Sequence, residues 1–379
     1  MTMTVLNQDQ TDLARTVAEI ARAELGPYAQ RMEETGEFAH DLVERFVEWG
    51  WLDLLVPEEY GGDGAGATEW VVMTEQLSRV SLATCSLLEG YGPIVMLRLF
   101  GTPDQQKRFF PVLRNGMGCF AGTEPGAGSD IAAITTRAVD KGGYWVLNGA
   151  KQYITNGGVA DFIAVLATVE PGAGPSAHRL FFLDRRTTAG VETTREEQMI
   201  GIRGGSVAGL TFTDVEVPAE DMLQAEAFKA VQVMMDYGRP STAGMAVGVA
   251  SAAIDCALDY TLEREAFGRP VYDFQGVSFM IADMATQTEA ARLLGYRAAA
   301  EVDAGGPRAN ELSSMAKTFA TDVAMKVTTD AVQCLGGAGL MKDYPVERMM
   351  RDVKALQILG GTNQIQRLIL SRALKKARR

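Results

Sequence analysis

The sequence is poor in histidine and cysteine. Its 379 residues include 2 histidines and 4 cysteines, and no two cysteines show C-x-x-C spacing. A structural zinc site and a Ser-His-Asp triad therefore lack the residues they need, and we expect no metal site. Unpaired thiols are typical of a cytoplasmic protein, which is the compartment we expect. Acid–base chemistry in this chain has to come from carboxylates, tyrosine or a cofactor.

Positive charge and long apolar runs are also scarce. The chain carries 36 Lys and Arg against 48 Asp and Glu, a net charge of −12. An acidic chain lacks the basic field that holds nucleic acid, so we expect no nucleic-acid partner. No apolar run approaches about 18 residues, so we expect no transmembrane helix and no membrane partner. The polar N-terminus contains no apolar core of the kind that a signal peptide has.

Residue patterns divide the chain into three parts. Apolar residues recur at spacings of three and four over residues 1–116, and short β-branched and aromatic runs dominate residues 117–224. Helical spacing returns over residues 225–379. We predict an α+β fold with those bounds: an N-terminal helical domain, a middle antiparallel β-barrel or sandwich domain, and a C-terminal four-helix bundle.

Two local patterns lead to sharper structural predictions. Asn148-Gly149 lies between the strand-like runs Tyr144–Leu147 and Lys151–Ile154, which is typical of a hairpin with a type I′ turn. Helical spacing in the last part of the chain predicts one buried stripe, formed by Leu312, Met315, Phe319, Val323 and Val327.

The run Gly122–Asp130 (GTEPGAGSD) is unusually rich in glycine. Such a loop exposes backbone N–H groups and lets them approach a flat or anionic ligand closely. It has neither the G-x-G-x-x-G order nor the P-loop order, so it is not a Rossmann or Walker signature. Composition alone is equally consistent with an ordinary connection between two domains.

Six motifs that include this loop resemble those of the acyl-CoA dehydrogenase family, in family order and with similar spacing. They are Phe120–Ser129, Tyr153–Gly158, Arg264–Gly268, Gln333–Gly339, Tyr344–Arg348 and Gly361–Arg367. Pro57–Gly62 resembles the N-terminal part of the same family. The resemblance covers nearly the whole chain and agrees with the helix–strand–helix order.

The resemblance implies an FAD enzyme that removes hydrogen from the Cα–Cβ bond of an acyl thioester, with hydride transfer to flavin N5. The resemblance further implies that the acyl carrier is coenzyme A or an acyl carrier protein, that a flavin electron acceptor takes the electrons if the reaction is oxidative, and that the enzyme is a homotetramer or homodimer. The implied FAD contacts, shared in part across a subunit boundary, are Phe120, Gly122, Thr123, Gly128, Ser129, Tyr153, Ile154, Thr155, Arg264, Phe267, Gln275, Gln333, Gly336, Gly337, Thr362 and Gln364. The implied substrate contacts are Ser129, Asp236, Tyr237, Arg239, Gly361 and Arg372.

The sequence departs from the family where the catalytic base is expected. The family places a glutamate immediately before the Gly361–Arg367 motif, and this chain has Gly360 there. Some members carry the base on the helix before the bundle, and the matching residue is Gly238. Gly360 retains only a backbone N–H, which can donate to the thioester oxygen. A smaller departure is that Gly205 and Val207 stand where Ser and Thr are usual.

Three explanations of the missing base remain open. The base has moved, with Glu89 as the candidate because a carboxylate between apolar neighbours can have a raised pKa; Asp236 and Tyr237 are weaker candidates. Alternatively, the flavin chemistry differs, as in α-carbanion-driven cyclisation of a carrier-protein thioester in secondary metabolism. In the third explanation Gly360 is an introduced substitution. A catalytically silent flavin- or acyl-binding protein is the alternative from a different functional class.

Overall fold

The computed structural model describes residues 6–376 and residue 378. The helices are α1 (Gln8–Thr35), α2 (His40–Glu48), α3 (Ala67–Ser78), α4 (Leu82–Cys85), α5 (Tyr91–Phe100), α6 (Pro103–Arg114), α7 (Ala227–Glu263), α8 (Gln275–Asp303), α9 (Ala309–Leu335), α10 (Val346–Leu356) and α11 (Asn363–Lys376). The strands are β1 (Gly118–Ala121), β2 (Arg137–Asp140), β3 (Tyr144–Thr155), β4 (Phe162–Thr168), β5 (His178–Asp184), β6 (Val191–Glu196), β7 (Val207–Pro218), β8 (Glu265–Ala266) and β9 (Arg269–Pro270). This order confirms the predicted sequence of helices, strands and helices; residues 1–5, 377 and 379 of the outer two parts lie outside the described residues.

The N-terminal helices begin and end at residues that satisfy free backbone groups. Asn7 caps α1 by accepting from Gln10 N, and the Gln10 side chain accepts from Asn7 N in return. Gly36 ends this helix in the left-handed conformation, with φ +72°. Thr102 caps α6 in the same reciprocal way, and Pro103 stands at the first helical position, where its missing N–H costs nothing.

The middle part is a seven-stranded sheet whose strand order is β1-β4-β2-β3-β7-β6, with β5 paired to β4. It is not purely antiparallel, because β1 runs parallel to β4. Strand β4 is buried along its whole length. Phe162 and its alternates pack against the helices, and Ile163 and its alternates pack against the other strands. A strand covered on both faces reads as a continuous apolar run.

The predicted hairpin at Asn148-Gly149 is wrong. Both halves of the segment belong to β3 and pair with the single strand β7, and the register shifts between Leu147 and Gly149. The Asn148 side chain exchanges hydrogen bonds with Asp214, at 3.0 and 2.9 Å, which holds the irregularity in place. A Cβ at Gly149 would lie 2.5 Å from Thr136 Oγ1. Glycine is therefore required by close approach rather than by a turn.

The C-terminal part is built on α7, which packs against α3, α8 and α9. By length and composition α7 is apolar enough to cross a membrane, contrary to the expectation from the sequence, but 78% of its most apolar 18-residue window is buried inside the protein. That burial is typical of a core helix. The predicted α9 stripe is wrong at Phe319, which is 40% exposed. Leu312, Val323 and Val327 of the predicted stripe are buried, together with small residues such as Ala316, Ala320, Ala324 and Ala331.

Candidate active site

Helix α5 packs against both β1 and α7. A Cβ at Gly92 would lie 2.8 Å from Met234 Sδ and 3.6 Å from Phe120 Cβ. Two residues earlier in the chain, a Cβ at Gly90 would lie 2.9 Å from the Gly118 carbonyl oxygen. The segment before α5 therefore lies beside the strand that leads into the glycine-rich loop and beside the N-terminal third of α7.

Helix α9 and the loop before α11 complete this region. The Asn310 side chain donates to Asp236 Oδ1 at 2.8 Å, and Ser313 Oγ donates to the Asp236 carbonyl at 3.1 Å. Lys317 Nζ donates to the Gly361 carbonyl at 2.9 Å. The N-terminal parts of α7 and α9 thus meet the loop that carries Gly360, and the site lies at this end of the bundle.

The glycine-rich loop is anchored by hydrogen bonds at Glu124 and Ala127, and it is open at Gly126 and Gly128. Glu124 and Ala127 exchange backbone hydrogen bonds, and the buried Glu124 carboxylate accepts from Lys151 Nζ at 2.8 Å. Burial opposes ionisation of Glu124, but the Lys151 ammonium and neighbouring N–H groups outweigh it and hold the pKa of this carboxyl well below its usual value. Nothing lies within 4 Å of a Cβ at Gly126 or Gly128. Their N–H groups have no acceptor within the described part of the chain.

The second stretch that resembles a flavin-binding motif, Tyr153–Gly158, is strained and partly exposed. Tyr153 and Asn156 have φ values of 57° and 60°, which non-glycine residues rarely adopt. The Tyr153 side chain is 61% exposed, and Gln152 N donates to Thr123 O at 3.0 Å, which joins the stretch to the glycine-rich loop. A free aromatic ring and free N–H groups on one surface fit a flat, anionic cofactor.

Hydrogen bonding also joins this stretch to the segment that carries Glu89. Asn156 Nδ2 donates to the Leu87 carbonyl at 3.2 Å. Glu89 lies in a 3₁₀ helix, Ser86–Gly90, and its Oε1 is buried without a hydrogen-bond partner. Burial raises the pKa of Glu89 to about 7. A carboxyl with that pKa can accept a proton near neutral pH.

The two glycines at the positions where the resemblance implies a base, Gly238 and Gly360, have opposite surroundings. A Cβ at Gly238 would lie 1.7 Å from the Tyr91 hydroxyl oxygen, so the tyrosine occupies the space that a side chain there would need. A Cβ at Gly360 would meet only Thr242 Oγ1, at 3.9 Å. Gly360 has φ +62°, and neither its N–H nor that of Gly361 has an acceptor among the residues described.

A second group of predicted FAD contacts lies at the opposite end of the bundle. It comprises Arg264, Phe267, Gln275, Gln333, Gly336 and Gly337, all exposed. Phe267 is 96% exposed, with φ 54°. At the helical rise of about 1.5 Å per residue, Gly238 and Arg264 are about 39 Å apart along α7. Within one chain, therefore, this group does not adjoin the glycine-rich loop, whereas Thr362 and Gln364 follow the Gly360 loop directly.

The predicted substrate-binding residues differ in burial. Asp236 and Arg239 are buried and paired at 3.1 Å, whereas Ser129 and Arg372 are exposed. Tyr237 packs partly into a small apolar cluster with Ala67, Val71 and Tyr296, which makes it the weakest of these candidates.

Three residues at this candidate site were not predicted from the sequence: Tyr91, Thr242 and Lys317. A lysine within the buried, alanine-rich face of α9 was a usable signal for Lys317, because a charge there needs a partner. Tyr91 and Thr242 gave no such signal. Gly205, one of the family departures, is also crowded: a Cβ there would lie 2.8 Å from Ser86 Oγ. Across residues 6–376 and 378, no three His, Cys, Asp or Glu side chains cluster in a way that can hold a metal ion.

Comparison with known proteins gives matches along the whole chain. Residues 7–117, 119–215 and 227–375 match the acyl-CoA dehydrogenase N-terminal, middle and C-terminal domains respectively. An acyl-CoA dehydrogenase of Bacillus subtilis (strain 168) is 40% identical over 378 residues, covering 97% of this chain and 98% of that one. The butyryl-CoA dehydrogenase of Megasphaera elsdenii superimposes with a TM-score of 0.93 at 35% identity, covering 97% and 98% of the two chains. A structure of PigA with FAD and proline superimposes with a TM-score of 0.94 at 26% identity, covering 99% of each chain.

Proposed function

The chain belongs to the acyl-CoA dehydrogenase family, and on that premise we propose that it is an FAD-dependent oxidoreductase acting on the CH–CH bond of an acyl thioester. The family and the three-part fold predicted from the sequence are confirmed. The domain bounds 1–116, 117–224 and 225–379 remain our proposal, as does a cytoplasmic location.

One observation carries this proposal. The Asn156–Leu87 hydrogen bond joins the strained stretch Tyr153–Gly158 to the segment that carries Glu89. The Oε1 atom of Glu89 is buried and has no hydrogen-bond partner among the described residues. In this proposal the stretch from Tyr153 to Gly158 belongs to the cofactor surface, and Glu89, with a pKa raised to about 7, is the proton acceptor on the neighbouring segment. Oxidation of a thioester needs both, because a base must remove the α-proton as the β-hydrogen leaves.

The residues of the middle part would hold the flavin. The free N–H groups of Gly126 and Gly128 would donate to it, and the Tyr153 ring would pack on it. FAD, when bound, supplies a two-electron acceptor for the β-hydrogen of the thioester. The N–H groups of Gly360 and Gly361 are free to donate to the thioester oxygen, which stabilises the enolate that forms when the α-proton is lost. Glu89 would accept that proton.

A second copy of the chain would supply the rest of the flavin contacts. The distant group around Phe267 is exposed, and its separation from Gly238, about 39 Å along α7, is too great for both to serve one binding site in one chain. Apolar residues exposed near it, Leu340 and Met341 among them, are consistent with contact between subunits. We propose a homotetramer or homodimer, with an acyl-CoA or acyl-carrier-protein thioester as substrate and a flavin protein as electron acceptor.

The assignment is tested by Glu89→Gln in the FAD-loaded protein. The wild type should be yellow, and anaerobic mixing with a panel of acyl-CoA and acyl-carrier thioesters should bleach the flavin. The variant should keep its flavin and lose α-proton exchange by about 10²–10⁴-fold, because Gln cannot accept a proton. Glu59→Gln, on an exposed side chain of a 3₁₀ turn, is the matched control. Undiminished exchange in Glu89→Gln would remove this assignment, and a colourless protein that cannot be loaded with FAD would remove the function.

The two glycines at the family's base positions favour a second candidate function. With no carboxylate at Gly238 or Gly360, flavin chemistry that starts from an α-carbanion without net oxidation fits as well, on a carrier-protein thioester. Proton exchange without bleaching would support that alternative. Binding of flavin and thioester with neither exchange nor bleaching would support a silent binding protein.

A further inference from the structure

Two adjacent glycines precede α11, and hydrogen bonds hold the carbonyl groups of both. Gly360 and Gly361 have φ values of +62° and +87°, in the left-handed region. Gln366 Nε2, on α11, donates to the Gly360 carbonyl at 3.3 Å and to the Gly361 carbonyl at 2.9 Å. A pair of glycines has more conformational freedom than any other pair of residues, so contacts of this kind have to fix the course of the chain here.

The Gln366 side chain uses only its amide nitrogen. The residue is 0% exposed, and its Oε1 atom is buried with no hydrogen-bond partner among the described residues. A buried acceptor without a partner costs free energy, so the contribution of this glutamine lies in its N–H groups. The approach is also close: a Cβ at Gly361 would lie 2.8 Å from Gln366 Nε2, so the contact requires glycine at that position.

A second helix holds the same loop through Lys317. This residue lies on α9 and is fully buried, and its Nζ donates to the Gly361 carbonyl at 2.9 Å. It also donates to Oδ1 of Asn363, the first residue of α11, at 2.8 Å. The Gly361 carbonyl is therefore fixed from α9 and from α11 at once.

The hydrogen bonds to these carbonyls also set the direction of the N–H groups. In a trans peptide the carbonyl of one residue and the N–H of the next point in opposite directions, and no cis peptide bond occurs among the described residues. Because the Gly360 carbonyl points toward Gln366, the Gly361 N–H points away from Gln366. That N–H has no acceptor within the described part of the chain. An unbonded donor of fixed direction is preorganised for an oxygen atom of a ligand.

We propose that Gln366 and Lys317 are positioning residues for the thioester: Gln366 orients the peptide group between Gly360 and Gly361 so that its N–H meets the thioester oxygen, and Lys317 holds the next peptide group from α9. The proposal rests on the proposed function, in which the N–H groups of Gly360 and Gly361 donate to that oxygen. Neither side chain touches the substrate, because each acts through the backbone. Negative charge develops on the oxygen when the α-proton leaves, and donors that are already fixed stabilise it without reorganisation. The effect does not depend on which group accepts the proton.

Acetoacetyl-CoA is the probe, because its α-hydrogens lie between two carbonyl groups and it forms an enolate without being oxidised. Ultraviolet difference spectra of FAD-loaded protein, saturated with this thioester at one fixed, mildly alkaline pH, give the ratio of bound enolate to bound keto form. Gln366→Met has a similar volume and no donor, and it should lower this ratio about tenfold or more, because a hydrogen bond to a charged oxygen loses its alignment. Lys317→Met should lower it less, by about threefold, since Lys317 holds only the next peptide group.

Gln105→Met is the matched control. Gln105 lies on α6, is 1% exposed, and donates from Nε2 to the carbonyls of Glu220 and Met222, at 2.7 and 3.1 Å. Its loss should lower the unfolding midpoint about as much as the loss of Gln366 does, and should leave the enolate ratio unchanged.

The possible outcomes separate the positioning role from the proposed function. An unchanged ratio in Gln366→Met, or an equal fall in Gln105→Met, overturns the positioning role and leaves the proposed function intact. If Gln366→Met cannot be loaded with FAD, Lys317→Met decides in the same assay. If the FAD-loaded wild type does not bind acetoacetyl-CoA, the proposed function fails and the positioning role fails with it.

Discussion

Glycine stands at both positions where the resemblance to the family implies a base, Gly238 and Gly360, and the two positions have different surroundings in the structure. At Gly238 there is no room for a side chain, because the Tyr91 hydroxyl oxygen lies 1.7 Å from where a Cβ would be. At Gly360 the space is open, because only Thr242 Oγ1 comes within 4 Å of a Cβ there. Glycine therefore occupies one closely packed position and one open position. A side chain added at the first should affect stability, and a side chain added at the second can be accommodated in the open space.

The largest effect is expected at the open position. In the Glu89→Gln background, where the proposed base has been removed, Gly360→Glu supplies a new carboxylate, and acyl-CoA oxidation should rise by about 10²–10⁴-fold, the usual contribution of a general base. The left-handed φ of +62° costs roughly 1–2 kcal/mol of stability for any side chain there. Flavin bleaching measured anaerobically checks the gain. Gly360→Gln is the control with equal strain and no base, and an equal gain in that variant would show that the carboxylate is not responsible.

At the closed position the effect should be on stability. Gly238→Ala should lower the free energy of unfolding by about 1–3 kcal/mol, because its Cβ overlaps the Tyr91 hydroxyl. Gly295→Ala on α8 is the matched control, since its Cβ would lie 3.7 Å from Ala243 Cβ, an ordinary contact. Urea unfolding measures both. The cost should shrink when Tyr91→Leu is added, and an unchanged cost in that background would contradict the steric explanation.

A smaller effect is expected on the pH dependence of stability, at Glu89, which faces the Tyr91 side chain that closes the Gly238 position. Burial raises the pKa of Glu89 from 4.5 to about 7, so the folded chain keeps a proton that the unfolded chain releases as pH rises from about 4.5 to 7. The free energy of unfolding of the wild type should therefore fall across this window relative to Glu89→Gln. Tyr91 and Cys85 face Glu89, and burial raises both of their pKa values, so they stay neutral there. Parallel stability curves for the two proteins would contradict a buried, titrating Glu89.

Local sequence determined much of the fold and the cofactor surface. The run of helices, strands and helices follows from residue periodicity, and the glycine-rich loop is visible as a motif because the flavin contacts proposed for it come from adjacent residues. Its open glycines, Gly126 and Gly128, match what such a motif predicts. The hairpin prediction at Asn148-Gly149 failed because a strand pair formed with β7, and a distant partner outweighed a local turn preference.

The sequence by itself also determined that glycine stands at both positions where the resemblance implies a base. Only the tertiary structure decided which of them is open, because Tyr91 and Gly238 are far apart in the chain and meet only when α5 packs on α7. The same holds for Lys317, whose charge becomes significant once α9 buries it beside the Gly360 loop. Burial and contact are properties of the packed chain, and they set the energy of a charge or a methyl group far more than the identity of its neighbours in sequence does.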